Sequence, residues 1–131
     1  MKILLVEDNL MNQKVVMFNL KKLNCDITPV ANGREALNIF KNGSYDLILM
    51  DIMLPEMNGY QITSEIRKFE KLNNIEKPVT IIALTANTYE NDKEKCFSIG
   101  MNEYISKPFS AQQLINTVEN IFSLNKNLTW R

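Results

Sequence analysis

Asp46-Leu47-Ile48-Leu49-Met50-Asp51 is the stretch that decides how this chain folds. Its middle is apolar without alternation, as suits a strand buried on both faces at the centre of a parallel sheet. A carboxylate, Asp51, ends the run, and a loop with Pro55 and Asn58-Gly59 follows. Other runs repeat the plan. Lys2 to Val6 stops at Glu7-Asp8-Asn9, and Pro78 to Leu84 stops at Thr85. Cys25 to Val30, β-branched at Ile27, Thr28 and Val30, reads as a further strand, and so does the short Glu103-Tyr104-Ile105 before Ser106-Lys107-Pro108.

Helical patterns fill the gaps. Asn9 can cap a helix carrying Val16, Leu20 and Leu23, and the turn Asn32-Gly33 precedes Ala36, Leu37, Ile39 and Phe40, with an end near Asn42-Gly43. The spacing predicts further helices from about Tyr60 to Leu72, from Glu90 to Ile99 ending at Gly100, and from a Ser110 cap to about Leu124. Five strand–helix alternations predict an α/β fold, a parallel sheet covered on both faces. Right-handed crossovers gather every strand's C-terminal end along one edge, where such sheets bind ligands.

A length of 131 residues suits one domain, and 45% hydrophobic residues suffice for a core. Lys+Arg and Asp+Glu both number 15, which gives no basic field for nucleic acid. No apolar run reaches the ~20 residues that span a bilayer. Met1 to Val6 runs into acids and does not read as a signal peptide, so a cytoplasmic location is expected, alone or as the cytosolic part of a membrane-bound sensor. Cys25 and Cys96 lack metal-type spacing and read as reduced thiols. The chain has no histidine, so imidazole chemistry must come from a partner.

The strand ends carry the chemistry: Glu7, Asp8 and Asn9, then Asp51, then Thr85 with Ala86, then Lys107 with Pro108. Each has a plain structural reading. Acids decorate helix N-termini, Asp and Thr cap loops and helices, and Lys-Pro is a common strand exit. Together they say more. Three carboxylates at one edge repel, and a hard divalent cation such as Mg²⁺ relieves the cost. Asp8 and Asp51 are the expected direct ligands, with Glu7 acting through water. Asp51 can also form an aspartyl phosphate. Lys107 would neutralise the phosphoryl oxygens, the Thr85 hydroxyl would donate to one, and Ala86 would leave room for entry.

On these motifs the chain resembles the receiver domain of two-component response regulators from Lys2 to about Leu124. They are Ile3-Leu-Leu-Val-Glu-Asp-Asn9, Asp46-Leu-Ile-Leu-Met-Asp51 with Met53-Leu-Pro-Glu-Met-Asn-Gly59, Ile82-Ala-Leu-Thr-Ala86 and Tyr104-Ile-Ser-Lys-Pro-Phe109. The resemblance implies a flavodoxin-like three-layer sandwich, a five-stranded parallel sheet in the order 2-1-3-4-5 with five helices. It implies a receiver over 1–124 and a tail or linker over 125–131. Asp51 would take a phosphoryl group from a phosphohistidine on a histidine kinase or histidine phosphotransfer domain, with the Met53 backbone carbonyl as a further Mg²⁺ ligand. Thr85 and Lys107 would bind the phosphoryl group, and Tyr104 would be the switch aromatic that moves with Thr85, altering the face of the fourth helix, fifth strand and fifth helix. Asn12-Gln13 after Val6-Glu-Asp-Asn9, and Asn87, Cys96 and Gly100-Met101 after Ala83-Leu-Thr-Ala86, look like receivers of hybrid sensor histidine kinases. The resemblance further implies a monomer or weak homodimer with no nucleic-acid or direct membrane contact. Asn58 stands where the family often has Asp, a turn residue either way.

Other readings stay open. A stand-alone response regulator would carry the same motifs. A flavodoxin-like nucleotide binder would need a phosphate-cradling loop where Glu7-Asp8-Asn9 is acidic and lacks glycine. A small-molecule phosphatase would need an insertion to build a substrate pocket, and a pseudo-receiver would have gaps among the chemical positions.

Overall fold

The computed structural model describes residues 1–86 and 90–129. Five strands, β1 (Lys2–Val6), β2 (Asp26–Val30), β3 (Leu47–Asp51), β4 (Thr80–Thr85) and β5 (Glu103–Ser106), form one sheet in the order β2-β1-β3-β4-β5. Every neighbouring pair is parallel. The helices are α1 (Leu10–Leu20), α2 (Gly33–Asn42), α3 (Gly59–Leu72), α4 (Glu90–Ile99) and α5 (Ala111–Thr129), with a 3₁₀ turn at Lys21–Leu23 after α1. The sequence-based fold, sheet order and helix count are all present.

Strand alternation divides the core into two layers, because successive side chains point to opposite faces. Leu4, Val6, Ile48, Met50, Ile81 and Ala83 pack with Ala36, Phe40, Ile62, Ile66 and Cys96 of α2, α3 and α4. Ile3, Leu5, Leu47, Leu49, Ile82 and Leu84 pack with Val16 and Leu20 of α1 and Leu114 and Val118 of α5. Pro29, which cannot donate to a ladder, stands in β2 at an edge of the sheet, where it costs least.

Helix starts follow the side chains that can cap them. Asn9 Oδ1 accepts from Asn12 N at 3.0 Å, and Asn32 Oδ1 accepts from Glu35 N at 2.9 Å. Ser110 Oγ accepts from Gln113 N at 3.1 Å, as the sequence predicts. Asn58 is more than a turn residue. Its Oδ1 accepts from Gln61 N at 3.0 Å while Gln61 Oε1 accepts from Asn58 N at 2.9 Å, a reciprocal cap at the start of α3. α5 runs to Thr129, past the end expected near Leu124, and neither Gly nor Pro stands between the two. Asn87, one of the residues that carry the likeness to hybrid-kinase receivers, and the last two residues of the 125–131 segment lie outside the described residues.

Candidate functional site

Four of the five strands end at one acidic hollow. Glu7 follows β1 and is 2% exposed, Asp51 ends β3 at 5%, Thr85 ends β4 at 4%, and Lys107 follows β5. Carboxylate oxygens of Glu7, Asp8 and Asp51 all lie within 4.8 Å of one another, Asp8 being exposed. Lys107 Nζ sits between two of the acids, 3.4 Å from Glu7 Oε2 and 3.4 Å from Asp51 Oδ1. Its backbone N–H donates to the Thr85 carbonyl at 2.7 Å, which locks the β5 exit against the end of β4. Glu7, Ala86, Lys107 and Pro108 line one cavity.

The charge count does not close. Three carboxylates face one ammonium, and burial raises the Glu7 carboxyl above its ordinary range, with Asp51 adding to the rise and Lys107 opposing it. All three acids offer hard oxygen donors, so the set fits a divalent cation of the Mg²⁺ class. Asp51 Oδ1 also accepts from Met53 N at 3.2 Å, which pins the loop whose Met53 side chain is exposed.

Gly59 sets the position of Asp51 from behind. Its N–H donates to the Ile52 carbonyl at 3.0 Å, and a Cβ there would meet the Asp51 carbonyl oxygen at 2.7 Å. Only glycine lets α3 begin so close to the acceptor strand. Tyr104 is half-buried, edge-on to Phe97 with centroids 6.2 Å apart, and Lys93 Nζ lies 5.0 Å over its ring. It therefore belongs to the α4–β5 surface and lies outside the acidic hollow.

Beside the hollow, α1 leaves Leu10, Met11, Val15 and Phe18 exposed, an apolar stripe that the sequence reading passes over. Its signal is the spacing of Met11, Val15 and Phe18 at i, i+4 and i+7, the same period that marks a buried face. Cys25 and Cys96 are free thiols that burial pushes above their ordinary range, in keeping with two unreactive cysteines. Among the described residues no helix is long and apolar enough to cross a membrane.

A parallel sheet in this order with carboxylates, a threonine and a lysine at its C-terminal edge defines a class, and the chain belongs to it: the response regulator receiver domain family matches residues 3–119. Among curated relatives, hybrid signal transduction histidine kinase B of Dictyostelium discoideum is 46% identical over 121 residues, which are 87% of this chain and 6% of that kinase. The chain thus spans a small fraction of the curated relatives it matches. Among solved structures, the receiver domain of sensor histidine kinase PA1611 from Pseudomonas aeruginosa, with a magnesium ion coordinated in its active site cleft, is 42% identical. It matches with a TM-score of 0.80 over 93% of this chain and 97% of that one. The co-crystal structure of the Saccharomyces cerevisiae histidine phosphotransfer signaling protein Ypd1 with the receiver domain of Ssk1 matches at 38% identity. Its TM-score is 0.82, covering 87% of this chain and 83% of that one. The resemblance to receivers of hybrid kinases is thereby borne out.

Proposed function

We propose that Asp51 is the phosphoacceptor of a two-component phosphorelay. A carboxylate oxygen of Asp51 attacks the phosphorus of a phosphohistidine on a histidine kinase or histidine phosphotransfer domain. The P–N bond breaks, its electron pair stays on the imidazole nitrogen, and an aspartyl phosphate forms. One observation carries the reading: Lys107 Nζ lies 3.4 Å from Asp51 Oδ1 and 3.4 Å from Glu7 Oε2, beside a cluster of three carboxylates. Lys107 and the Thr85 hydroxyl meet the phosphoryl oxygens. Glu7, Asp8, Asp51 and the Met53 carbonyl would hold Mg²⁺, which supplies positive charge for the transferring group.

The donor is another domain or protein, because the chain has no histidine. The exposed stripe Leu10, Met11, Val15 and Phe18 beside the hollow supports a protein donor over a small ester. Phosphorylation draws Thr85 toward the phosphoryl group, Tyr104 follows, and the face of α4, β5 and α5 responds. The chain acts in the cytoplasm as a monomer or weak homodimer without nucleic-acid or direct membrane contact. It is the receiver, residues 1–124, of a hybrid sensor histidine kinase, with 125–131, whose first residues continue α5 to Thr129, as a tail or linker.

Acetyl phosphate with Mg²⁺ tests the chemistry. Intact mass rises by one phosphoryl unit in the parent and not in Asp51→Ala. Labelling of Asp51→Ala at the parent's level overturns the proposal.

A further inference from the structure

The strands do not hold the acidic cluster alone. The first turn of α1 sends two side-chain amides back to Glu7. Asn12 Nδ2 donates to Glu7 Oε1 at 3.3 Å, and the Asn9 backbone N–H donates to the same oxygen at 3.3 Å. With Lys107 Nζ at Oε2, donors on both oxygens fix the plane of the carboxylate. Gln13 is buried, and its Nε2 donates to the Glu7 carbonyl at 2.6 Å and to the Val30 carbonyl at 3.4 Å.

The Gln13 contact solves a problem of the fold. Glu7 N donates to Val30 O at 3.0 Å, extending the β1–β2 ladder one residue past Val6. Beyond that rung the chain turns into α1, and the Glu7 carbonyl no longer faces a strand. A buried carbonyl needs a donor, and Gln13 supplies it. Holding that oxygen fixes the Glu7–Asp8 peptide plane, and with it the point from which the Asp8 side chain departs. Val16 and Leu20 anchor the same helix in the core, so the platform carrying both amides is rigid.

We infer that Asn12 and Gln13 are positioning residues of the acceptor site, Asn12 orienting the Glu7 carboxylate and Gln13 orienting the Glu7–Asp8 peptide toward a bound cation. Neither touches the reacting atoms. The inference rests on the phosphoacceptor reading above. Groups that orient metal-binding carboxylates typically cost ~10–100-fold in metal affinity when removed.

The test is Mg²⁺ binding by calorimetry with no phosphodonor present, on the parent, Asn12→Leu, Gln13→Met and Asp8→Asn, with melting of each in EDTA alongside. Asn12→Leu weakens Mg²⁺ about tenfold, and Gln13→Met at least as much. Asn12 is exposed, so Asn12→Leu melts in EDTA where the parent does. Excess Mg²⁺ restores its labelling by acetyl phosphate to the parent's rate. If Asp8→Asn loses Mg²⁺ while the two amide variants bind as the parent does, the inference is overturned and the acceptor reading stands. If Asp8→Asn itself binds as the parent does, the metal set of the acceptor reading fails and takes the inference with it. Should Gln13→Met not fold, Asn12→Leu decides alone.

Discussion

The two ends of the sheet each bury a glutamate beside a base, and they treat it in opposite ways. At the N-terminal edge of the strands, Glu70 accepts from Arg67 Nη1 at 2.7 Å and from Val79 N at 2.6 Å. The same guanidinium donates to the Gly100 carbonyl at 2.9 and 2.7 Å and to Asn102 Oδ1 at 3.0 Å. One acid meets one base, and the contacts are short. At the C-terminal edge, Glu7 has Lys107 at 3.4 Å and amide donors at 3.3 Å, and it shares the lysine with Asp51. The first arrangement ties α3 to the approaches of β4 and β5. The second holds charge that the protein's own groups leave unbalanced. A chemical site on this fold is legible as the place where buried charge is not closed.

Arg67→Met is the strongest way to break that comparison. It leaves Glu70 buried without its base, and urea denaturation should report a loss of about 3 kcal/mol. Lys107→Met removes a base whose contacts are long and whose side chain is partly exposed, and its cost should stay below ~1 kcal/mol. Labelling by acetyl phosphate should show the reverse order, with Lys107→Met slowed by ~10²-fold or more and Arg67→Met close to the parent. Equal stability losses at the two ends would mean that both pairs are structural.

Gly59→Ala attacks the junction between α3 and the acceptor strand. The added methyl meets the Asp51 carbonyl oxygen at 2.7 Å and Ile52 Cα at 3.0 Å, and both are backbone atoms that cannot swing aside. Gly59 is the first residue of α3, so helix propensity gains less than the ~1 kcal/mol of a helix interior, while crowding costs about 1–3 kcal/mol. A net loss of about 1 kcal/mol on denaturation, with slower labelling of Asp51, is expected. Unchanged stability and rate would show that the loop yields freely and does not position the acceptor.

What could be read in advance follows from the range of the interactions. β3 and the acid after it were plain because a fully buried parallel strand must be continuously apolar and must stop when polar chemistry begins. Glu7, Asp8, Asp51, Thr85 and Lys107 were legible as a group because parallel topology alone brings strand ends together. Asn12 and Gln13 counted only toward the likeness to hybrid-kinase receivers, since nothing local says that their amides reach back to Glu7. The Arg67–Glu70–Asn102 network was hidden for the same reason. Arg67 and Glu70 stand at i, i+3, the spacing of an ordinary exposed helix pair, and nothing local says that Gly100 and Asn102 arrive above them. Asn58 before Gly59 has the look of a turn residue, and its reciprocal cap with Gln61 shows only once α3 is seen to start at Gly59.

Glu7→Gln gives the smallest effect and the sharpest sign. Glu7 is buried, and its carboxyl is raised first by that burial and then by Asp51. A carboxyl whose folded value exceeds its unfolded value favours folding while protonated, and that contribution is lost as pH rises through the folded value. At neutral pH, above the unfolded value, the raised Glu7 carboxyl therefore opposes folding, with burial and Asp51 raising it and Lys107 offsetting only part of the rise. Glutamine keeps an oxygen to accept from Asn12 and Asn9 and removes one of three negative charges. The metal-free variant should melt higher than the parent by on the order of 3 °C at neutral pH. The gain should fade as pH falls through the raised folded value of Glu7, and should be gone once pH is below the ordinary carboxylate range. Excess Mg²⁺ should raise the parent's melting temperature more than the variant's, because a cation that binds the folded state stabilises it in proportion to its affinity. A variant less stable than the parent in EDTA at neutral pH would mean that Glu7 is as well satisfied as Glu70, and the contrast between the two ends would be lost.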